Sequence, residues 1–309
     1  MRAVTQRTFG GPEVLELTEV DSPSPLPTEV VVAVRAVGIN PVEAMIRSGG
    51  FAVLGQPPFV LGWDVSGVVT EVVPGVNRFQ VGDEVYGMPL FPRAAGAYAE
   101  FVAAPSRQLA HKPRTVDHIH AAALPLVGLT AYQSLVDIAD VQAGQRVLVH
   151  AGGGGVGHIA VQLAKDLGAY VIATASAGKH EFVRDLGADE VIDYRTVDFT
   201  EAVRDVDVVL ELVGGDYGTR SIEVLRPGGL LLTAVERTNT ALAARTKAAG
   251  RRFAGVAVEP DGLGLQRLSQ LVDDGRLRVH VEQTLPLEDA AKAHVLLESG
   301  LRGKAVLTI

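Results

Sequence analysis

The chain of 309 residues contains no cysteine, so it can build neither a disulfide framework nor a thiolate metal site. No uninterrupted apolar run reaches the ~18–20 residues that cross a bilayer, and the first residues, MRAVTQRTFGG, have no apolar signal core. A cytoplasmic protein with no membrane span is therefore expected. Blocks of positive charge are missing as well. The net charge is −8 and basic residues are not interleaved with aromatics, which argues against a nucleic-acid partner. What is present is ordinary globular material, 47% hydrophobic, long enough for about two domains and a sizeable core.

The most informative stretch is Val147 to Ala164, VLVHAGGGGVGHIAVQLA. Val147 to His150 is short and β-branched enough for a buried strand, and Gly152, Gly154 and Gly157 follow in GxGxxG spacing. Gly152 permits the tight turn, Gly154 lets a pyrophosphate approach the backbone, and Gly157 lets the next helix lie close to the sheet. Gly155 and Val156 open that helix. Ile159, Ala160, Leu163, Ala164 and Leu167 recur at helical spacing beyond them, so the free N–H groups of the loop sit at a helix N-terminus that favours an anion.

Residues 1–118 read as a β-rich domain, with apolar runs at Val30–Val37, Val65–Val73 and Phe101–Ala104 broken by glycine and proline. SPSPLP at Ser22–Pro27 and PGVNRFQVGDEV at Pro74–Val85 supply corners. From about Asp117 strands and helices alternate. Tyr170–Ala175, Glu190–Tyr194, Val206–Val213, Leu230–Ala234 and Phe253–Val258 are strand candidates, and Lys179–Leu186 is a helix. That rhythm predicts a doubly wound parallel sheet over 119–258. After Glu259 come a helix at Leu263–Asp273, a strand near Val279, a helix at Leu287–Glu298 and a last strand at Lys304–Ile309. By pattern alone this tail suits either domain.

The second strand bears on which dinucleotide fits. An NAD site places an acid about 20 residues beyond the glycines, where it accepts from the ribose 2′-hydroxyl and repels a 2′-phosphate. Here the segment is ATASAGKHE, with no acid between Ala169 and His180. Ser176 and Lys179 put a hydroxyl and a cation there instead, which favours NADPH. The alternative is that Ser176 caps the following helix and Lys179 is a solvated charge.

Over essentially its full length the chain resembles the medium-chain dehydrogenase/reductases, and among them the zinc-independent, zeta-crystallin-like quinone oxidoreductases. The carriers are VGINPVEAMIRSG (Val37–Gly49), PFVLGWDVSGVV (Pro58–Val69), VGDEVYG (Val81–Gly87), GAYAEFV (Gly96–Val102), ALPLVGLTAYQSL (Ala123–Leu135), the glycine loop and RGKAVL (Arg302–Leu307). The resemblance implies an α/β protein with a GroES-like β-barrel catalytic domain, 1–118 completed by 259–309, and a Rossmann domain of 119–258. Zinc-dependent members of that superfamily carry a Cys after the GI pair and a His in a GHE motif. This chain has Asn40 and Trp63–Asp64 at those places, no four-cysteine lobe, and isolated histidines such as His118 and His120, so no zinc is expected.

The resemblance also implies residue roles. Asn40 lies beside nicotinamide and substrate and donates to a developing oxyanion, with holding the loop before Pro41 as the alternative. Trp63 walls the cleft or belongs to the core. Thr130 lies near the nicotinamide ribose or carboxamide, and Tyr194 near the adenosine phosphate. Val213 and Gly214 pass the adenine side. Gly303 and Lys304 approach the nucleotide from the other domain, unless Lys304 simply begins the last strand. Met45 stands where many relatives have tyrosine, and AVERTN (Ala234–Asn239) has no assigned role. The expected function is NADPH-dependent hydride transfer to quinones or α,β-unsaturated carbonyls. The alternatives are an enoyl-thioester reductase and a low-turnover NADPH-binding sensor or structural protein. A homodimer through an edge strand at Phe253–Val258 is implied.

Overall fold

The structure, a computed structural model, describes residues 1–309. The chain divides into two units, Met1–Leu129 with Glu259–Ile309, and Thr130–Val258. No helix is long and apolar enough to cross a membrane.

The first unit is built on the strand Glu29–Gly38, whose residues are buried along nearly its whole length. One edge of it pairs with Asp64–Val72. Its other edge is shared, Phe101–Pro105 taking Glu29 to Ala33 and Lys304–Thr308 taking Ala36 to Gly38. The register shifts between Val34 and Ala36, the local bend that a bulge produces. Val281–Pro286, Glu84–Gly87 and Leu109–His111 complete a seven-stranded sheet. A smaller sheet joins Glu16–Glu19, Arg2–Gln6 and Phe59–Val60. The C-terminal tail thus belongs here, with its helices Gly262–Asp273 and Ala290–Ser299.

The expected boundary at 118 falls too early, because the short helix His118–Ala122 is part of this unit. Gly38 explains why: a Cβ there would lie 2.3 Å from the Ala122 carbonyl oxygen. The missing side chain lets the helix sit directly on the strand, and Ala121 and Ala122 are fully buried.

In the second unit six parallel strands run in the order Glu190–Asp193, Tyr170–Ala175, Arg146–Val149, Val206–Glu211, Leu225–Thr233, Arg252–Gly255. Numbered along the chain this is 3-2-1-4-5-6, which reverses direction between the first and fourth strands, where doubly wound folds bind their ligands. Leu225–Thr233 starts ahead of the expected Leu230, and the turn-like RPGG lies within it. The Ala234–Asn239 stretch is a turn ending in a cap: the Asn239 side chain accepts from Leu242 N–H at 2.9 Å and starts the helix Thr240–Ala248.

Leu148, Ile172, Phe199, Val209 and Leu231 form the centre of one face of this sheet. Leu148 is fully buried on the first strand. Leu148→Ala should lower the unfolding free energy by about 2–5 kcal/mol, measured by urea denaturation.

Candidate functional site

The glycine loop leaves its strand through Ala151, whose φ of 52° lies in the left-handed region. Thr174 holds it there. Its hydroxyl accepts from Ala151 N–H at 3.2 Å and its carbonyl from Gly152 N–H at 2.9 Å. His150 bridges Thr174 Oγ1 at 3.1 Å and Ser221 Oγ at 3.0 Å. Burial, with Arg220 adding to it, lowers the His150 pKa to about 3, so the ring is neutral at physiological pH.

The glycines differ in how much they are needed. A Cβ on Gly157 would stand 2.1 Å from the Ala151 carbonyl oxygen, and one on Gly152 would stand 2.8 Å from Ala173 Cβ. At Gly154, the N-cap of the helix Gly155–Asp166, the nearest atom would be 3.3 Å away. Gly155 and Val156, half-buried, open that helix. Behind them His158 is fully buried and its Nδ1 lies 2.6 Å from the Gly155 carbonyl oxygen.

Lys179 comes to the same loop. A Cβ on Gly153 would lie 2.9 Å from Lys179 Cδ, so the lysine stem is laid over the glycines. Ser176 precedes the turn Ala177–Lys179 and makes no side-chain capping bond, so its hydroxyl is not spent on the helix that follows. Tyr194 follows the strand Glu190–Asp193, is 43% exposed and has the Arg195 guanidinium 5.7 Å from its ring centroid. Val213 and Gly214 donate their N–H groups to Glu211 Oε1 at 2.5 and 2.6 Å. Glu211, fully buried, also accepts from Thr233 Oγ1 at 2.8 Å. Sequence reasoning missed Glu211, although an acid closing an apolar run was its signal. Thr130 is buried in the helix Pro125–Tyr132, and its carbonyl accepts from Ser134 Oγ at 2.6 Å.

Within the first unit Asn40, Glu43, Asp64, Tyr98, His294 and Lys304 are all buried. Asn40 follows the strand Glu29–Gly38 and caps the helix Pro41–Arg47. Its amide is gripped at both ends: Nδ2 donates to Asp64 Oδ2 at 3.0 Å, and Oδ1 accepts from the Lys304 ammonium. Lys304 also donates to the Ile39 carbonyl at 2.6 Å and lies 3.6 Å from Asp64 Oδ2. Asp64 Oδ1 accepts from Leu126 N–H at 2.8 Å. Lys304 begins the last strand, and Gly303 before it has φ 61°, with the His280 carbonyl oxygen 2.3 Å from where a Cβ would be. The buried ammonium is thus engaged by Asn40, Ile39 and Asp64. Trp63 is fully buried, its indole N–H donating to the Arg93 carbonyl at 2.7 Å and its ring meeting Phe91 edge-on at 5.2 Å. Met45 is 52% exposed.

These surroundings shift the titrations. Burial pushes the Asp64 carboxyl up to about 6 against the pull of Lys304. Burial pushes Glu43 up to about 8, against the Asn40 N–H bond and the Lys304 charge. Lys304 is lowered by burial, opposed by both acids. At neutral pH these values leave Asp64 ionised and Glu43 protonated.

Zinc does not fit this donor set. The places that would carry metal ligands hold an amide already bonded to Lys304 and Asp64 and an indole whose N–H is engaged. An ammonium occupies the centre of the cluster, and a second cation there would be repelled. His118 Nδ1 lies 2.7 Å from Ser66 Oγ and its Nε2 3.2 Å from Glu84. His120 Nδ1 is 2.7 Å from Asp117 Oδ1. No group of three or more His, Cys, Asp or Glu side chains is placed to hold a metal.

The Glu43 shift makes a testable statement about stability. A carboxyl whose folded pKa is raised from 4.5 to about 8 contributes fully below about pH 4.5, and its contribution is lost as pH rises through about 8. Glu43→Gln cannot ionise, so urea midpoints should shift in favour of the variant from pH 5 to pH 8 relative to the parent. Parallel curves would show that Glu43 is already ionised in the folded protein.

Residues 26–114 match the family model of the alcohol dehydrogenase GroES-like domain, and residues 186–307 that of zinc-binding dehydrogenase. Quinone oxidoreductase of Rattus norvegicus is 32% identical over 337 residues, covering 100% of this chain and 98% of the rat protein. Among solved structures, the quinone oxidoreductase from Coxiella burnetii superposes with a TM-score of 0.96 at 37% identity, covering 100% of this chain and 99% of that one. Escherichia coli quinone oxidoreductase complexed with NADPH gives a TM-score of 0.89 at 30% identity, with 100% of both chains covered. With relatives this similar along its whole length, and with the parallel sheet and glycine loop already in place, the chain belongs to the medium-chain dehydrogenase/reductase superfamily, among enzymes that are oxidoreductases.

Proposed function

We propose that this oxidoreductase uses NADPH, without zinc, to reduce quinones or α,β-unsaturated carbonyls. The main support is Lys179, whose stem lies over Gly153, next to a strand end that has a serine and no acid. A cation and an unspent hydroxyl beside an anion-binding helix N-terminus suit a 2′-phosphate, whereas a carboxylate would repel it. The E. coli relative with NADPH bound points the same way.

In this reading Gly152, Gly154, Gly155, Val156 and Gly157 hold the pyrophosphate, Ser176, Lys179 and Tyr194 the adenosine phosphates, and Val213 and Gly214 the adenine side. Thr130 serves the nicotinamide ribose. When bound, NADPH would supply a hydride. Added to the β-carbon of an enone, two electrons move onto the carbonyl oxygen, and the enolate then takes a proton to give the saturated ketone. Quinone reduction has the same balance, one hydride and one proton giving the hydroquinone.

Without a Lewis acid the developing oxyanion needs a fixed donor. Asn40 is assigned that role. One of its two N–H bonds is on Asp64, which leaves the other for the substrate oxygen. The surrounding burial keeps water from the amide, where such a bond is worth most. Lys304 takes a supporting part by fixing Asn40, and Gly303 by admitting the strand that carries it. Trp63, through Arg93 and Phe91, shapes the loop it is packed against. A homodimer through the edge strand Arg252–Gly255 belongs to the same reading, and size-exclusion chromatography at several concentrations checks it.

Two measurements test the reading. Lys179→Ala should weaken NADPH binding by roughly tenfold or more, the worth of a hydrogen bond to a charged group, and leave NADH nearly unchanged. Equal weakening of both would end the 2′-phosphate assignment. Loss of reduced-nicotinamide absorbance should then be followed with quinones, enones, enoyl thioesters and simple aldehydes. Turnover confined to the first two is expected. Preference for enoyl thioesters, or tight NADPH binding with no turnover, would move the assignment to a thioester reductase or a sensor. Aldehyde reduction abolished by a chelator would overturn the zinc-free mechanism.

A further inference from the structure

Asn40 is held from two directions. Lys304 and Asp64 fix its side chain, and its main-chain N–H donates to Glu43 Oε2 at 2.5 Å. The same Glu43 oxygen lies 3.2 Å from Tyr98 Oη, which lies 3.0 Å from His294 Nε2. On its other side His294 Nδ1 is 3.0 Å from Arg47 Nη1.

The direction of this chain is forced. A guanidinium only donates, so His294 Nδ1 accepts and the neutral ring carries its proton on Nε2. That proton points at Tyr98 Oη, and the phenol must send its own proton to Glu43. Burial, with Arg47 adding to it, lowers the His294 pKa to about 3, in keeping with a neutral ring. Glu43 Oε2 therefore collects two donors, one from the chain and one from Asn40.

Tyr98 has little freedom to make any other contact. Its N–H donates to the Leu61 carbonyl at 2.9 Å and its carbonyl accepts from Val4 N–H at 2.8 Å. Its ring lies against Gly62, where φ is 95° and a Cβ would be 2.4 Å from Tyr98 Cδ1. Arg47 is anchored in turn, with Nη2 donating to Glu298 Oε1 at 2.8 Å. At the far end Glu43 Oε1 is buried with no hydrogen-bond partner. Well-packed apolar side chains would often be as stable as such a network or more so, so stability alone does not account for it.

We propose that Glu43 and Tyr98 are positioning residues for Asn40, forming the end of a hydrogen-bond chain from Arg47 and His294 that fixes the main chain from which the amide projects. This rests on the reading of Asn40 as the donor to the substrate oxygen, and it separates from that reading by experiment.

The chain has three asparagines, Asn40, Asn77 and Asn239, so protein labelled with 15N at the asparagine side-chain amides gives three pairs of signals, and the pair lost in Asn40→Ala is that of Asn40. Tyr98→Phe should move this pair and leave the other two in place. It should lower kcat about fivefold or more, the worth of one hydrogen bond, with NADPH affinity within about twofold. In an Asn40→Ala background the same substitution should change kcat by less than about twofold, because its effect passes through the missing amide. Glu43→Gln, which keeps the acceptor oxygen, should recover most of the kcat lost in Glu43→Ala. An unmoved Asn40 pair in Tyr98→Phe, or an equal loss of kcat in both backgrounds, would overturn the proposal. If the pair moves while Asn40→Ala retains full kcat, the positioning stands and the donor role of Asn40 falls. Should Glu43→Ala fail to fold, Tyr98→Phe decides the question alone.

Discussion

The first unit depends on one buried cation. Lys304 is 3% exposed, yet it is the first residue of the strand Lys304–Thr308, which pairs with Glu29–Gly38 on one side and Val281–Pro286 on the other. Taking an ammonium out of water is expensive, and the Asp64 carboxylate at 3.6 Å offsets that only with help from other acceptors. The Ile39 carbonyl and the Asn40 amide oxygen supply them. The ion pair therefore pins a strand from the end of the chain to the turn where the strand Glu29–Gly38 gives way to the helix Pro41–Arg47. Closing the sheet and orienting Asn40 are the same event. A neutral side chain at 304 would leave Asp64 as an uncompensated buried charge, the costlier of the two failures.

The second unit solves a different problem with sterics. Its helix can approach the sheet only because Gly157 places nothing against the Ala151 carbonyl. Ala151 itself sits in a left-handed conformation that a residue with a Cβ adopts reluctantly, and Thr174 holds the turn by one hydrogen bond to Ala151 N–H and one to Gly152 N–H. Thr174 is in turn fixed by His150. The glycine loop is thus pre-organised from the neighbouring strand, so under the proposed dinucleotide reading less ordering would remain when a phosphate arrives. Glu211 does the same for the turn at Val213 and Gly214, turning two main-chain donors inward onto a carboxylate.

Much of this was legible in the sequence where the physics is local. The glycine loop, its strand and its helix occupy one continuous stretch, and Gly154 and Gly157 answer a contact with Ala151 a few residues away. The alternating apolar runs of the parallel sheet were legible for the same reason. Boundaries were less so. The end of the first unit moved from 118 to Leu129 because Gly38 accepts the helix His118–Ala122 from far along the chain, a contact no local pattern records. The strand Leu225–Thr233 hid behind RPGG, which reads as a turn but lies within the strand beside Val206. The partners of Asn40 were the hardest to see. Asp64, Tyr98, His294 and Lys304 are scattered along the chain, and only pairing across the sheet and the C-terminal helix brings them together.

Of the three buried histidines, His150, His158 and His294, two link side chains that hold the main chain in place. His150 and His294 are both neutral, each with its pKa lowered to about 3 chiefly by burial. Neither changes charge across the physiological range, so neither acts as a pH switch. A neutral imidazole is useful for another reason: it accepts on one nitrogen and donates on the other, and so passes a fixed direction from one side chain to the next. His294 passes it from Arg47 to Tyr98, while His150 joins Thr174 to Ser221. His150 lies two hydrogen bonds from the Ala151 turn, through Thr174, and His294 three from the Asn40 main chain, through Tyr98 and Glu43. Orientation is what the proposed metal-free hydride transfer would demand of this protein, since the cofactor would bring the electrons and the donors must already point where charge would develop.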